Sequence, residues 1–350
     1  MITVALDGRG AERGPEAIVA GARAAAADGI RLRVFGDQAE LAQLEGVDGT
    51  EVVAATAEIT NAEEPVAAVR TRPEASVVMA ARDVAEGRSQ ALASAGATGA
   101  TMTAALFALR RLQGVRRPAL ALQLLVPGRD GPPSLLLDVG ANTEARAVDL
   151  VQFAFLGAAF SEAVLGVARP RVALLSVGEE QKKGSAEVVE AHARLEAAEG
   201  VDFRGNLEGR DLLAEAADVV VTDGFTGNVV LKTIEGTART VAEAMRAAAR
   251  SGPRAALGGL LLRPALGGLR RQMDPDTTGG AILLGLGGVA VVGHGSSGPD
   301  GIANAVRLAA RGVEERAIER TTELLERSGM TRGAMRERMQ EDSPRASGDA

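Results

Sequence analysis

Residues 218–236 read DVVVTDGFTGNVVLKTIEG. The valines of this stretch form an apolar run that does not alternate with polar residues, the pattern of a strand buried on both faces. GFTGN after them is a polar, glycine-containing loop, and beyond it the spacing predicts a helix near 228–249. The same unit recurs along the chain. ITVALD leads into GRGAERGP and EAIVAGARAAAA, QALASA into GATGA and TMTAALFALRRL, and SLLLDV into GANTEA and a helix near 145–165. RVALLSV leads into GEEQKKG and a helix near 185–198, and GVAVV into GHGSSGPD and a helix near 301–326. Strands alternating with helices predict crossover connections and a mainly parallel sheet, an α/β fold. Loops at strand carboxyl ends gather on one rim in such folds, so all of these glycine loops are expected to line one site.

Composition removes several functions. Aromatic residues are only 2% of the chain, with no Trp or Tyr, so stacking on nucleic-acid bases has no platform. A net charge of −7 also disfavours a generic nucleic-acid binder. Cysteine is absent and there are two histidines, so no thiolate or His-rich metal site is expected, and no cofactor. GRGAERG spaces its glycines as GxGxxxG rather than the dinucleotide GxGxxG, and there is no Walker A sequence. MITVALDGRG reaches Asp7 and Arg9 at once, unlike a signal peptide, and no apolar run is long enough to span a membrane. A cytoplasmic location is expected.

The loops offer small residues, hydroxyls, carboxamides and a few cations. Ser94 and Thr98 lie in SAGATGA; Lys182 and Lys183 precede a helix; Asp223 and Asn228 flank GFTG, with Lys232 one turn on. Ser296 and Ser297 precede a helix that Pro299 is expected to open, where free N–H groups favour an anion although Asp300 competes for them. The plain alternative is that each loop is a turn, that Ser297 caps its helix, and that His294 bonds to backbone. Several such loops on one rim favour a site for phosphate or a phosphorylated group without a metal cage.

SAGATGA, LLLDVGAN, LLSVGEEQKKG, FRGNLEG, DVVVTDGFTGNVVLKTIEG, GGAILLG and HGSS occur in this order. Together they resemble the PlsX-type acyl-carrier-protein:phosphate acyltransferases of bacterial phospholipid synthesis, from about residue 1 to 325. The resemblance implies a reaction in which an acyl-carrier-protein thioester and inorganic phosphate give acyl phosphate and free carrier protein. It also implies a homodimer and a three-layer α/β/α fold similar to the isocitrate and isopropylmalate dehydrogenases, with a projecting helical arm. Within it, phosphate is assigned to Lys183, Asn228 and the Ser296–Ser297 backbone. Asn142 and Asn206 are expected to donate to the thioester carbonyl, Asp223 to orient Lys232 or Asn228, and His294 to give a proton or hydrogen bond.

The expected domain is residues 1–330, with the arm at about 245–275 and a disordered polar tail at 331–350. RSGPRAALGGLLLRPALGGLRR (250–271) carries five Arg, no acid, and leucine clusters on either side of Pro264. Leu257, Leu261, Arg263, Leu266 and Arg270 are the residues expected to touch a membrane or partner, a dimer contact being the alternative. An acidic carrier protein is expected on this basic surface or on RRLQGVRR at 110–117, and a downstream glycerol-3-phosphate acyltransferase is a further expected partner. The chain departs from the family pattern in several places. In the opening motif Ala11 stands in place of a glycine and Glu12 in place of an aspartate; elsewhere Ala97 stands in place of an asparagine, Pro73 in place of a lysine, DPDTT in place of DY, and Ile282 in place of a proline. Two alternatives remain open: an acyl-coenzyme A donor, or a non-catalytic relative that binds carrier protein or membrane.

Overall fold

The computed structural model describes residues 1–126, 131–272, 275–331 and 333, and the side chains of 263–275 lie outside the described residues. The strands are β1 (Thr3–Asp7), β2 (Arg31–Gly36), β3 (Thr50–Ala54), β4 (Ala91–Ser94), β5 (Ala119–Leu124), β6 (Ser134–Leu137), β7 (Arg171–Ser176), β8 (Asp202–Glu208), β9 (Val219–Val221), β10 (Ala281–Leu284) and β11 (Val289–Val292). The helices are α1 (Pro15–Ala27), α2 (Pro65–Thr71), α3 (Ser76–Ala85), α4 (Thr98–Leu109), α5 (Ala147–Ala163), α6 (Ala186–Glu196), α7 (Gly224–Ala249), α8 (Pro253–Gln272), α9 (Pro299–Glu314) and α10 (Ala317–Arg327).

All strands form one sheet in the order β3-β2-β1-β4-β11-β10-β5-β6-β9-β7-β8. Alternate residues of each strand enter opposite cores. Val4 and Leu6 belong to the core shared by α1, α5, α9 and α10, whereas Ala5 belongs to the one shared by α2, α3 and α4. This is the three-layer α/β/α arrangement expected. With so few aromatics, tight helix contacts rest on small residues. A Cβ on Gly21 of α1 would come within 2.7 Å of Ile302 of α9, and one on Gly157 of α5 within 2.6 Å of Val219. The exception is α5, which buries Phe153, Phe155 and Phe160 completely.

The glycine loops do not share a rim. β10 runs antiparallel to both β11 and β5, and β5 runs antiparallel to β6. The strands β6, β9, β7 and β8 therefore point opposite to β3, β2, β1, β4 and β11, and the two sets end at opposite edges. Loops after β1, β4 and β11 gather at one edge; those after β6, β7 and β9 gather at the other.

Two helices also differ from the sequence reading. GFTGN is no loop: α7 already starts at Gly224, because the Asp223 carboxylate caps it, accepting from the Thr226 N–H at 2.8 Å. The helix expected over 301–326 breaks into α9 and α10 at Arg316, whose φ is 53°. Past the sheet, α7 continues into an arm with α8 folded back on it, Gly259 lying against Ala249. Helix α8 runs through Pro264 without a break. Residues 332 and 334–350 of the expected tail lie outside the described residues.

The start of α7 makes a testable pair of glycines. A Cβ on Gly227 would overlap the Asp138 carbonyl oxygen, while one on Gly236, further along the same helix, meets nothing within 4 Å. Gly227→Ala should cost about 2–3 kcal/mol through overpacking. Gly236→Ala should gain roughly 0.5–1 kcal/mol from helix propensity. Urea denaturation midpoints of both variants measure the contrast; equal midpoints would refute this seating of α7.

Candidate active site

Three loops meet at the edge where β1, β4 and β11 end. Asp7, the last residue of β1, is fully enclosed there. It accepts a hydrogen bond from the Ser94 hydroxyl at 2.8 Å and one from the Arg9 N–H at 3.3 Å. Ser94 in turn accepts from the Gly96 N–H at 3.1 Å and lies 3.0 Å from the Thr101 hydroxyl. The β11 loop joins through Gly293 N–H to the Ser94 carbonyl, and the β1 loop through Glu12 N–H to the Gly295 carbonyl. Burial pushes the Asp7 carboxyl up to about 6, against the opposing hydrogen bonds from Ser76 and Ser94.

Beside this knot lies a cleft of about 360 Å³. Helix α7 crosses the sheet from the opposite edge and forms one side. Asn228, Lys232 and Glu235 stand at i, i+4 and i+7, one polar stripe; Leu231, Ile234 and Ala238 form an adjoining apolar stripe. Facing the apolar stripe are Leu120, Leu122, Leu124 and Leu125 in and after β5, with Val139. At the polar end are Thr98, Glu12, Asn61 and His294. Lys232 Nζ lies 2.9 Å from Glu235 Oε2 and 3.5 Å from His294 Nε2. His294 Nδ1 faces Ser296, 3.2 Å from its N–H and 2.8 Å from its hydroxyl. Thr98 opens α4, whose N-cap is Ala97, a residue with no side chain to satisfy the first-turn N–H groups. The site can thus hold an anion at one end and an apolar chain at the other.

Thr98, Asn228, Lys232 and His294 are brought together, with Ser296 behind the imidazole. Ser94 lies beneath, buried against Asp7. Ser297 is buried, and the start of α9 is not open to a phosphate. Its Gly298 N–H donates to Asp276 at 2.9 Å, the Ser297 N–H to the His294 carbonyl at 2.9 Å, and the Ser296 N–H to the His294 ring.

Lys183, Asn142, Asn206 and Asp223 all sit at the opposite edge of the sheet. The Asn142 amide donates to the Pro118 carbonyl at 2.7 Å and to Asp138 at 2.8 Å. The Asn206 amide donates to the Glu180 carbonyl at 2.9 Å, with its oxygen 3.0 Å from His192 Nδ1. Asp223 binds the hydroxyl and N–H of Thr226, not Lys232 or Asn228. RRLQGVRR follows α4 at that same far edge. On the arm, Leu257 and Leu261 are exposed, whereas Arg263, Leu266 and Arg270 have side chains outside the described residues.

Sequence reasoning missed Glu235, although its i,i+3 spacing from Lys232 was visible. It also missed Gln123, a buried wall residue whose amide nitrogen has no hydrogen-bond partner among the described residues. Nothing local marks a strand residue of that kind.

A family model described as fatty acid synthesis protein matches residues 2–320. A phosphate acyltransferase of Heliobacterium modesticaldum is 44% identical over 322 residues, 90% of this chain and 95% of its own. A branched-chain phosphotransacylase from Enterococcus faecalis superposes with a TM-score of 0.59 at 18% identity, covering 89% of this chain and 99% of its own. The 4-hydroxythreonine-4-phosphate dehydrogenase from Klebsiella pneumoniae does so at 0.52 and 15%, over 89% and 99%. The solved structures establish the dehydrogenase-like fold.

The Asp7 carboxyl predicts a pH effect on stability. Its folded value near 6 exceeds the unfolded value of about 4. The protonated form therefore stabilises the fold fully below pH 4, and that contribution is lost as pH rises through 6. Two pH units correspond to about 3 kcal/mol. Asp7→Asn, which does not titrate, should gain by up to that amount on the parent between pH 4 and 7.5, measured by urea unfolding. A parent-to-variant difference independent of pH would contradict the enclosed position of Asp7.

Proposed function

The chain belongs to the PlsX-type phosphate acyltransferase family, and from that membership we propose that it makes acyl phosphate from an acyl-carrier-protein thioester and inorganic phosphate, in phospholipid synthesis. The observation that carries the proposal is the cleft with one polar and one apolar stripe on α7. A fatty thioester and a phosphate dianion need that pair of surfaces side by side.

In this reading the acyl chain lies between Leu231 and the β5 leucines, and phosphate lies at the polar end. Lys232 and the uncapped first turn of α4 bind the dianion, with Asn228 and Thr98 fixing its orientation. A phosphate oxygen attacks the thioester carbonyl carbon, the C–S bond breaks, and the sulfur leaves as a thiolate that takes up a proton. Phosphate is itself the nucleophile, so the protein's work is positioning and charge stabilisation. His294 stands where it can donate to the developing oxyanion or to the leaving sulfur. Its Ser296 contacts to Nδ1 leave Nε2 facing the cleft.

The arm belongs to the same reading. Among the described residues no helix is long and apolar enough to cross a membrane. Leu257, Leu260, Leu261 and Leu262 are all more than half exposed on α8, with Arg254 before them. We assign this surface to peripheral contact with anionic lipid from the cytoplasm. An acidic carrier protein is assigned to the Arg239, Arg246 and Arg250 side of α7, because the alternative at 110–117 lies at the edge remote from the cleft. The acting unit is a homodimer in this proposal. Its acyl phosphate passes to a glycerol-3-phosphate acyltransferase.

Purified protein incubated with palmitoyl-carrier protein and phosphate, with hydroxylamine trapping, should give phosphate-dependent hydroxamate. Lys232→Met should lower kcat/KM for phosphate by roughly 10²–10³. Absence of hydroxamate from the folded parent, or a Lys232→Met enzyme near parental rate, would remove this reading of the cleft. Leu231→Phe narrows the apolar channel, so its rates with palmitoyl donors should fall further than its rates with octanoyl donors. A uniform fall would place the acyl chain elsewhere.

A further inference from the structure

Strands β1 and β4 are neighbours, but the chain leaves them in opposite directions, β1 toward β2 and β4 across the sheet toward β5. Such divergence opens a crevice at the carboxyl ends of the two strands. Here it is a second cavity of about 300 Å³ between the Gly8–Pro15 loop and the segment around Thr60. It shares Glu12 and Asn61 with the acyl cleft, so the two spaces meet at the polar end, close to His294.

The second cavity is polar where the first is mostly apolar, and its charge is unsuited to an anion. Glu12, Glu40 and Glu58 line it against one guanidinium, that of Arg9. Arg9 is moreover engaged, 3.5 Å from the Ala55 carbonyl and 3.7 Å from Glu40. Phosphate, or the phosphates of coenzyme A, would meet net repulsion there. A neutral chain of amides would instead find donors and acceptors on Asn61 and the loop backbone, and an acceptor in the Thr60 hydroxyl oxygen, whose own proton goes to Glu63.

A fatty thioester has an apolar chain on one side of its carbonyl and an arm with amides on the other. We propose that the second cavity is the subsite for the neutral, pantetheine-type arm of the donor, the sulfur lying where the two cavities meet. This inference rests on the acyltransferase reading. It makes the arm itself, and not a nucleotide, the part of the donor that the enzyme grips.

The test uses octanoyl thioesters of N-acetylcysteamine, which has a short stub of the arm, of pantetheine and of coenzyme A, with hydroxamate as readout. The parent should use octanoyl-pantetheine at least tenfold better in kcat/KM than the N-acetylcysteamine thioester. Thr60→Trp fills the cavity from an exposed position whose hydroxyl bonds Glu63. Ala11→Phe fills it from the other wall. In both variants the ratio of the two rates should fall toward one. A ratio kept at the parental value in both variants, a parental ratio near one, or coenzyme A as the best of the three donors overturns the subsite. A parent that makes no hydroxamate from any donor overturns the acyltransferase reading itself, and the subsite with it.

Discussion

The carboxylate of Asp138 organises the chain beyond its own loop. It is buried, and it accepts from the N–H groups of Leu120, Gly140, Ala141 and Asn142 and from the Asn142 amide, at 2.7–3.1 Å. Burial still raises its pKa, so those bonds offset the desolvation only in part. The result is a rigid platform tying the start of β5 to the end of β6. Gly224 and Gly227 of α7 sit directly on it, Gly224 donating to the Asn142 carbonyl at 2.8 Å. That seat fixes where α7 begins and in which direction it runs. About two turns further on, at roughly 1.5 Å per residue, the helix delivers Lys232 to the opposite edge of the sheet beside His294. The polar end of the cleft thus depends on a network at the opposite edge of the sheet.

This explains why the strand-loop-helix units and the three layers were legible in the sequence while the site was legible only in part. Non-alternating runs such as Val219–Val221 and Leu135–Leu137 declare double-sided burial. They say nothing of direction, and direction decides which edge a loop reaches. The turn of polarity lies in ALALQL and AILL, two runs that no glycine loop marks. Without it, Lys183 and Asn142 read as neighbours of His294. The carboxamides of Asn142 and Asn206 misled for a related reason: in tight loops such a group most readily serves nearby backbone. Lys232 and Thr98, both in glycine-loop units, reached the cleft because α7 crosses the sheet and α4 begins at the near edge.

Charge within the cleft is finely balanced rather than strongly positive. Lys232 is held by Glu235, and Glu12 packs against Gly295 at the same end. A site built for tight phosphate capture would gather more cations. A balanced one binds a dianion loosely until the thioester excludes water. In the proposed reading Lys232 would then interact with it in a less polar surrounding, where each charge counts for more. In that reading the apolar stripe of α7 is therefore part of the electrostatics: an acyl chain seated on it would lower the local polarity around Lys232 and Thr98.

The departures from the family pattern fall on this same economy. At position 97 a methyl group stands where a carboxamide is usual, so α4 starts without a capping side chain on its first-turn N–H groups. Glu12 brings a longer acid than the aspartate it replaces, and its main-chain N–H still ties the β1 loop to Gly295. The backbone junction of the three loops therefore survives both changes. What alters is the side-chain chemistry around the phosphate end: one donor fewer at the helix start, and a carboxylate that reaches to the edge of the β11 loop. In the proposed reading the Glu12 carboxylate disfavours an anion at that end while the uncapped first turn of α4 still attracts one, and both changes leave the apolar wall untouched. In that reading the work of holding phosphate therefore falls to backbone N–H groups and Lys232.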